Sequence, residues 1–138
     1  MHENALTQTV TSLGQLVTDS KLKSVVYGPD TPENQDLPFA WVQAGPDERN
    51  EFVGIPGNDR EIEGVVVVEV LGHVVDETMP VDAAQLVMDV HNEIEDDIAT
   101  YRGLNPPVYP VATQTTEGPE LDLDRHFWRA QIMMRWHN

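Results

Sequence analysis

The chain has 138 residues, 40% of them apolar, and this size suits a single domain, residues 1–138, with its own core. It contains no cysteine, which excludes disulfides, zinc–thiolate sites, iron–sulfur clusters and thiol nucleophiles. Twenty-four acidic and eight basic residues give a net charge of −16. This charge excludes the clusters of lysine and arginine with which nucleic-acid-binding proteins usually neutralise phosphates. It also argues against docking on anionic lipid.

The first part of the chain predicts one helix and two strands. Residues 5–18 have an apolar stripe at helical spacing, formed by Leu6, Val10, Leu13 and Val17. Residues 22–27 predict a short strand, which the turn signal Gly28-Pro29 closes. Phe39–Ala44 predicts the next strand.

Residues 45–60 form a long insert rich in glycine, proline and acidic residues, and we expect an irregular loop there. Phe52, Val53 and Ile55 lie in this loop without an obvious core. They are expected either to tuck under the loop as a small apolar cluster or to form a tip that contacts a partner.

Residues 61–75 give the clearest strand pattern, because two sets of residues alternate along them. Extended, residues 61–71 alone would reach about 36 Å, beyond the roughly 17–20 Å of a typical strand. Val65 and Val67 are apolar on the face that otherwise carries acidic side chains. We therefore expect another layer to cover part of this face.

The last part of the chain predicts a helix and a final strand. Residues 81–101 carry a helical apolar stripe of Ala83, Val87, Val90, Ile94 and Ile98. Residues 108–117 fit either a strand or an ordered arm. Phe127–His137 predicts a strand with one core face, while its other face is partly apolar and cationic and suits an acidic neighbour: Phe127, Arg129, Gln131, Met133 and Arg135.

This order of elements predicts an α+β fold. We expect a mixed, mostly antiparallel sheet of about four strands, with two helices packed on one face. The strands at 38–44 and 61–75 would form a hairpin through the long insert. The final strand would return beside this hairpin after the second helix.

The chemical motifs are sparse, and we expect neither an enzyme nor a cofactor. There is no phosphate-binding glycine loop, nucleophile elbow, HExxH or EF-hand pattern. His91 and Glu95 lie four residues apart on the second helix, a spacing more typical of a solvated face than of a metal site. Weak candidates for a hard divalent cation are the carboxylates of Asp122 and Asp124, which alternate with His126 and follow Glu120; an acidic turn beside a strand is the favoured explanation of these residues.

The series of segments along the chain supports a comparison with a known family. A first helix is followed by the strand LPFAWVQAG, an acidic insert, the strand REIEGVVVVEVLGHV, the helix VDAAQLVMDVHNEIEDDI and the final segment LDLDRHFWRAQIMMRW. In order, length and loop placement, this series resembles the tail terminator proteins of long-tailed, lambda-like phages. These small proteins cap the tail tube.

The resemblance implies a homohexameric ring in the tail and neck region of a virion, assembled in the host cytoplasm. Such a ring ends tail-tube polymerisation, joins a neck or head-completion protein, and lets DNA pass through its lumen without specific binding. The implied contact between subunits would involve Val65, Val67, Phe127, Arg129, Met133 and Arg135. The implied contact with the tail-tube protein would use the insert, through Asp47, Glu48, Arg49, Glu51, Phe52, Val53 and Ile55.

Three other interpretations remain open. A head-completion or neck adaptor ring would differ in its partner, the portal rather than the tail tube. A monomeric acidic binding protein, such as a DNA mimic, would carry its acids on one continuous surface. A small enzyme without a recognised motif would need a pocket with perturbed titratable groups. The net charge also fits simple solubility in a salty compartment, as in a halophile.

Overall fold

A computed structural model of the chain describes residues 3–30, 32–45, 48–51, 60–75, 78, 80–122 and 127–137. The described part contains three helices and a mixed six-stranded sheet, which confirms the predicted α+β class with more elements than expected. The elements in chain order are α1 (Glu3–Thr18), β1 (Ser24–Tyr27), β2 (Phe39–Ala44), β3 (Glu48–Glu51), β4 (Arg60–His73), α2 (Ala83–Asp96), α3 (Ile98–Arg102), β5 (Tyr109–Asp122) and β6 (Phe127–His137).

The sheet has the strand order β1-β2-β4-β6-β5, and β3 pairs with the start of β4. The pairing of β1 with β2 is parallel, and the other described pairs are antiparallel. The predicted hairpin is present as β2 and β4, with Ala40 opposite Val70 and Val42 opposite Val68. Strand β6 then pairs with eleven consecutive residues of β4, from Glu63 to His73.

The core lies between the helices and one face of the sheet. The sheet contributes alternate residues of β2, β4 and β6, as period-2 alternation requires. The helices contribute the buried stripes of α1 and α2 and the ring of Tyr101 in α3. The sheet residues in this cluster are Ala40, Val42, Val66, Val68, Val70, Trp128, Ala130, Ile132, Met134 and Trp136.

The predicted stripe of α1 is only partly right. Leu6 and Leu13 are buried, but Val17 is 37% exposed and Leu16 is buried in its place. The helix also buries Thr9 and Ser12, because their hydroxyls face the buried Tyr101. These hydrogen bonds, which periodicity does not report, help to set the rotation of α1.

Two further predictions are corrected by the structure. The insert 45–60 is not wholly irregular, because β3 pairs with the first residues of β4, with Glu48 opposite Glu63 and Glu51 opposite Arg60. The helix predicted over 81–101 is interrupted at Asp97, whose φ of −96° and ψ of 11° leave the helical region. A separate turn of helix, α3, follows, and it directs Tyr101 into the core.

Candidate interaction surface

The sheet face that points away from the helices carries the predicted interface residues. We call this surface the outer face. Val65 lies opposite Arg135, and Val67 lies opposite Met133. All six predicted interface residues therefore occupy one face of the adjacent strands β4 and β6. On β2, β4 and β6 the outer face consists of Phe39, Trp41, Gln43, Val65, Val67, Glu69, Leu71, Phe127, Arg129, Gln131, Met133 and Arg135. Strand β5 adds acidic residues to the same face, with Glu120 opposite Arg129 and Asp122 opposite Phe127.

Burial varies along the outer face. Phe39 and Leu71, which pair across β2 and β4, are buried at one end. Further along, Val65, Val67 and Met133 are only half-buried. None of these five side chains belongs to the core cluster that includes the buried helix residues. The outer face thus presents partly solvated apolar area, which is typical of a surface that another molecule covers.

A polar cluster occupies the middle of the outer face. The carboxylate of Glu69 belongs to a residue only 8% exposed, and its neighbours on the two adjacent strands are Trp41 and Gln131. A guanidinium nitrogen of Arg129, Nη1, lies 3.6 Å from Glu69 Oε1, and Gln43 Nε2 donates to Glu69 Oε2 at 3.4 Å. Because a buried carboxylate without partners is costly, these contacts explain how Glu69 is accommodated there.

The contact with Glu69 orients the Arg129 side chain without using all of its hydrogen-bond donors. Its side chain is 44% exposed, and a guanidinium has five N–H donors, so several remain available beyond the contact with Glu69. Arg135 lies six residues further along β6, exposed, and among the described residues no acidic group is paired with it. The outer face therefore presents two arginines at a separation of about 20 Å along the strand.

The helix layer on the opposite side of the sheet presents acidic residues. Asp82, Asp89, Glu93 and Asp96 recur at seven, four and three residues, which places them on one side of α2; we call them the acidic stripe. Partial burial raises the pKa of Glu93, and repulsion from Asp97, Asp96 and Asp19 raises it further, while Lys21 acts in the opposite direction.

Few cations lie close enough to the acidic stripe to neutralise its negative charge. Lys21 Nζ lies 3.4 Å from Asp89 Oδ2, and Gln85 donates to Asp89 Oδ1 at 3.0 Å. No ion pair is present at Asp82, Glu93 or Asp96 within the part of the chain that the structure describes. The stripe therefore remains a concentrated negative surface.

The insert is described only in part. Glu48, Arg49 and Glu51 lie on β3, which pairs with β4. The other predicted contacts with the tail tube lie outside the described residues: Asp47, Phe52, Val53 and Ile55.

The weak metal candidates are also only partly described. His91 Nε2 and Glu95 Oε1 are 3.7 Å apart, so this pair does share one side of α2. Asp122 ends β5 opposite Phe127, whereas Asp124 lies outside the described residues. Across the described ranges, no group of three or more histidine, aspartate or glutamate residues is placed to hold a metal ion.

A cleft of about 410 Å³ lies where the residues after α1, the start of α2, the end of β4 and the start of β6 meet. Its wall is largely apolar, with Pro38, Leu86 and Trp128, and its charged groups include Lys21 and Asp89, which already pair with each other.

Sequence reasoning found the two arginines and the valines of the outer face but missed the Glu69 cluster. The alternation in residues 61–75 placed Glu69 on the same face as Val67. It did not show that Gln43 and Arg129 lie beside Glu69, because that depends on the pairing of β4 with two distant segments. The spacing along the predicted second helix already indicates that Asp89, Glu93 and Asp96 lie on its solvated face.

No protein family model matches the sequence, and comparison with curated proteins gives no significant match. Within the described residues, none of the helices is both long and apolar enough to cross a bilayer.

Proposed function

We propose that this chain is a structural virion protein that assembles into a ring at the head-proximal end of a tail tube. The ring ends tail polymerisation and joins the tail to the neck while DNA passes through its lumen. The observation that carries the proposal is the outer face, where half-buried Val65, Val67 and Met133 lie beside Arg129 and Arg135. The order of the elements, similar to that of phage tail terminators, supports it.

Charge supports association through this face. A chain with a net charge of −16 has eight basic residues, and two of them project from one strand face: Arg135 opposite Val65, and Arg129 between Glu69 and Glu120. Apolar area bordered by both arginines and carboxylates favours a partner that is apolar at its centre and carries charges of both signs around it. A second copy of the same acidic chain offers such a partner.

The remaining negative charge suits a channel for DNA. Acidic side chains that line a ring would repel phosphates, so DNA would slide through without the counterion release that drives tight binding. The arm formed by β3 and the start of β4 joins the segment 52–59, and we assign this arm and segment to the contact with the tail tube.

The oligomeric state tests the ring. We expect sedimentation velocity and native mass spectrometry to give a closed oligomer, with six subunits as the first expectation, and end-on class averages to show a central hole. A strict monomer at high protein concentration, with and without Mg²⁺ or high salt, would overturn the proposal.

A pair of charge reversals tests the outer face. Arg129→Glu with Arg135→Glu should abolish assembly. Arg135→Glu alone, which keeps the contact between Arg129 and Glu69, should weaken assembly and leave the far-UV circular dichroism spectrum unchanged. A matched control for the double reversal is Lys23→Glu with Arg102→Glu, two exposed cations on other parts of the chain, which changes the net charge by the same amount. Normal assembly of the first variant would remove this face from the proposed interface.

Variants of the insert test whether the ring binds the tail tube or another structure. Deletion of residues 47–57 removes β3 and should leave a folded subunit that no longer engages the tail tube. A second variant, with residues 52–57 replaced by glycine and serine, keeps β3 and isolates the role of the connecting segment. Copurification with portal protein instead of tail-tube protein would favour a neck adaptor, and normal tail lengths from both variants would contradict the role of the insert.

A further inference from the structure

The indole of Trp128 is a buried hydrogen-bond donor without an acceptor among the residues that the structure describes. Trp128 is only 3% exposed, and no oxygen of those residues accepts a hydrogen bond from its Nε1 atom. By contrast, Trp41 Nε1 donates to the carbonyl oxygen of Gly28 at 3.0 Å. A buried indole N–H usually has an acceptor, because leaving it unpaired opposes folding. A donor left unpaired in this way is typical of a position where a bound molecule supplies the acceptor.

This donor lies at the wall of the cleft of about 410 Å³ beside the start of α2. Gly72 pairs with Trp128 across β4 and β6, and both residues line the cleft. A Cβ atom at Gly72 would overlap Nε1, Cε2 and Cζ2 of the indole, so this edge of the ring rests on the Gly72 backbone. The N–H group is therefore on the part of the ring next to the cleft, where an acceptor that enters the cleft can reach it.

The other walls of the cleft suit an apolar group. Pro38, Pro80 and Leu86 line it together with Trp128. A mostly apolar wall with a few polar groups is the usual construction of a ligand site, and the volume lies in the range of such sites, roughly 300–1,000 Å³. This space accommodates an aliphatic side chain together with the peptide group beside it.

The charged groups at the cleft leave one carboxylate without a cation. Asp89 is contacted by Lys21 at 3.4 Å and by Gln85 at 3.0 Å. Asp82 is the N-cap residue of α2, but its side chain makes no capping hydrogen bond, and within the described ranges it has no ion pair. Because these carboxylates oppose an anion, the acceptor for Trp128 should be an uncharged oxygen, and a cationic group is favoured beside Asp82.

We propose that the cleft binds an extended peptide segment of a partner protein. An aliphatic side chain of the segment enters between the apolar walls, its main-chain carbonyl accepts a hydrogen bond from Trp128 Nε1, and a neighbouring lysine or arginine pairs with Asp82. A peptide combines these three features, because its carbonyl is an uncharged acceptor flanked by side chains of both kinds. The residues that line the cleft are not part of the outer face, so the inference goes beyond the proposed ring and does not depend on it.

The indole N–H signal of Trp128 tests the inference directly. In a proton–nitrogen correlation spectrum of isotope-labelled protein, each of the three tryptophans gives its own indole peak, and single Trp→Phe variants assign the peaks. The probe is N-acetyl-leucyl-lysine amide, titrated to concentrations on the order of millimolar. We expect a saturable downfield shift of the Trp128 indole proton, because it gains an acceptor. The Trp41 peak should stay in place, since its N–H is already bonded to Gly28.

Variants separate the two polar contacts. Trp128→Phe keeps an aromatic ring but removes the donor, and it should weaken binding of the dipeptide about 3- to 10-fold. Asp82→Asn removes the carboxylate and should weaken binding about 2- to 5-fold. The matched control is Asp36→Asn, at an exposed acid in the loop before β2, which should bind like the wild-type chain. Urea unfolding verifies that each variant is folded, and if Trp128→Phe is not, the indole shift of the wild-type chain decides.

Two further probes complete the test. Hexylamine has an aliphatic chain and a cation but no carbonyl, and N-acetyl-leucyl-norleucine amide has the carbonyls but no cation. A shifted Trp128 signal with the dipeptide, together with weaker binding of both other probes, supports the proposal. An unmoved Trp128 signal at the highest dipeptide concentration overturns it. Equal binding of hexylamine would make the cleft a site for small amines and would also refute the peptide. None of these outcomes depends on whether the chain assembles into a ring.

Discussion

Replacing Tyr101 by phenylalanine would interrupt a buried chain of hydrogen bonds between α3 and α1. Gln8 Nε2 donates to Ser12 Oγ at 3.1 Å, and Ser12 in turn hydrogen-bonds Tyr101. Thr9 Oγ1 lies 2.7 Å from the Tyr101 hydroxyl and donates its one hydrogen to the carbonyl oxygen of Ala5, also at 2.7 Å. The Tyr101 hydroxyl therefore donates to Thr9. Because Tyr101 is 0% exposed, no water replaces the lost group.

The hydrogen-bond partners of Tyr101 set the loss of stability that we expect for Tyr101→Phe at neutral pH. The substitution removes one donor and one acceptor and leaves the Ser12 hydroxyl short of an acceptor, so we expect a loss of about 1–2 kcal/mol in the free energy of unfolding. The loss should appear as a lower urea midpoint with an unchanged m-value.

The same hydroxyl should make stability depend on alkaline pH. Burial raises the pKa of Tyr101 from 10.0 to about 12. A raised pKa means that the folded state holds this proton more tightly than the unfolded chain. Its contribution is complete below pH 10 and is lost as pH rises towards 12. At about 1.4 kcal/mol for each unit of pKa difference, the wild-type chain should lose about 2–3 kcal/mol through this group.

Together, these two effects predict that the stability curves of the wild-type chain and of Tyr101→Phe cross as pH rises. The wild-type chain should be the more stable at pH 7, and Tyr101→Phe should equal and then exceed it near pH 11. Urea unfolding followed by tryptophan fluorescence from pH 7 to pH 12 measures both curves. Tyr27→Phe, at a residue 70% exposed, is the matched control and should follow the wild-type chain. Parallel curves for wild type and Tyr101→Phe would refute the placement of this hydroxyl in the core.

Two further predictions concern packing and surface charge. Gly72→Ala would place a Cβ against the indole ring of Trp128, too close for the ring to stay in place, and should cost at least about 1–3 kcal/mol of stability. Gly14→Ala, with open space around it on α1, should instead add about 0.5–1 kcal/mol, and thermal unfolding compares the two variants. Glu93→Gln removes repulsion from Asp97 and should raise stability at pH 7 by a few tenths of a kcal/mol. Because the pKa of Glu93 is raised, this gain should vanish as pH falls below about 4.5, and an equal gain at pH 4 would contradict the electrostatic explanation.

The strands were the most predictable part of the fold. Alternation and flanking turn signals predicted β2 and β6 with the bounds that the structure has, and they separated the core face of β6, with Trp128 and Trp136, from its outer face. A period of two is a local property of extended backbone, so neighbouring residues suffice to reveal it. The short strand β3 lacks this signal, since it forms through its pairing with β4.

The amino-acid order alone determined the α+β class, the core faces of the long strands and the unusual presence of Arg129 and Arg135 on a strand face of an acidic chain. Tertiary structure decided what lies beside them. Glu69 approaches Arg129 only because β4 and β6 pair in one register, and a shift of one residue would turn Glu69 to the core. Register, helix rotation and the placement of the acidic stripe relative to the sheet depend on contacts between residues far apart in the chain, and local periodicity contains no information about them.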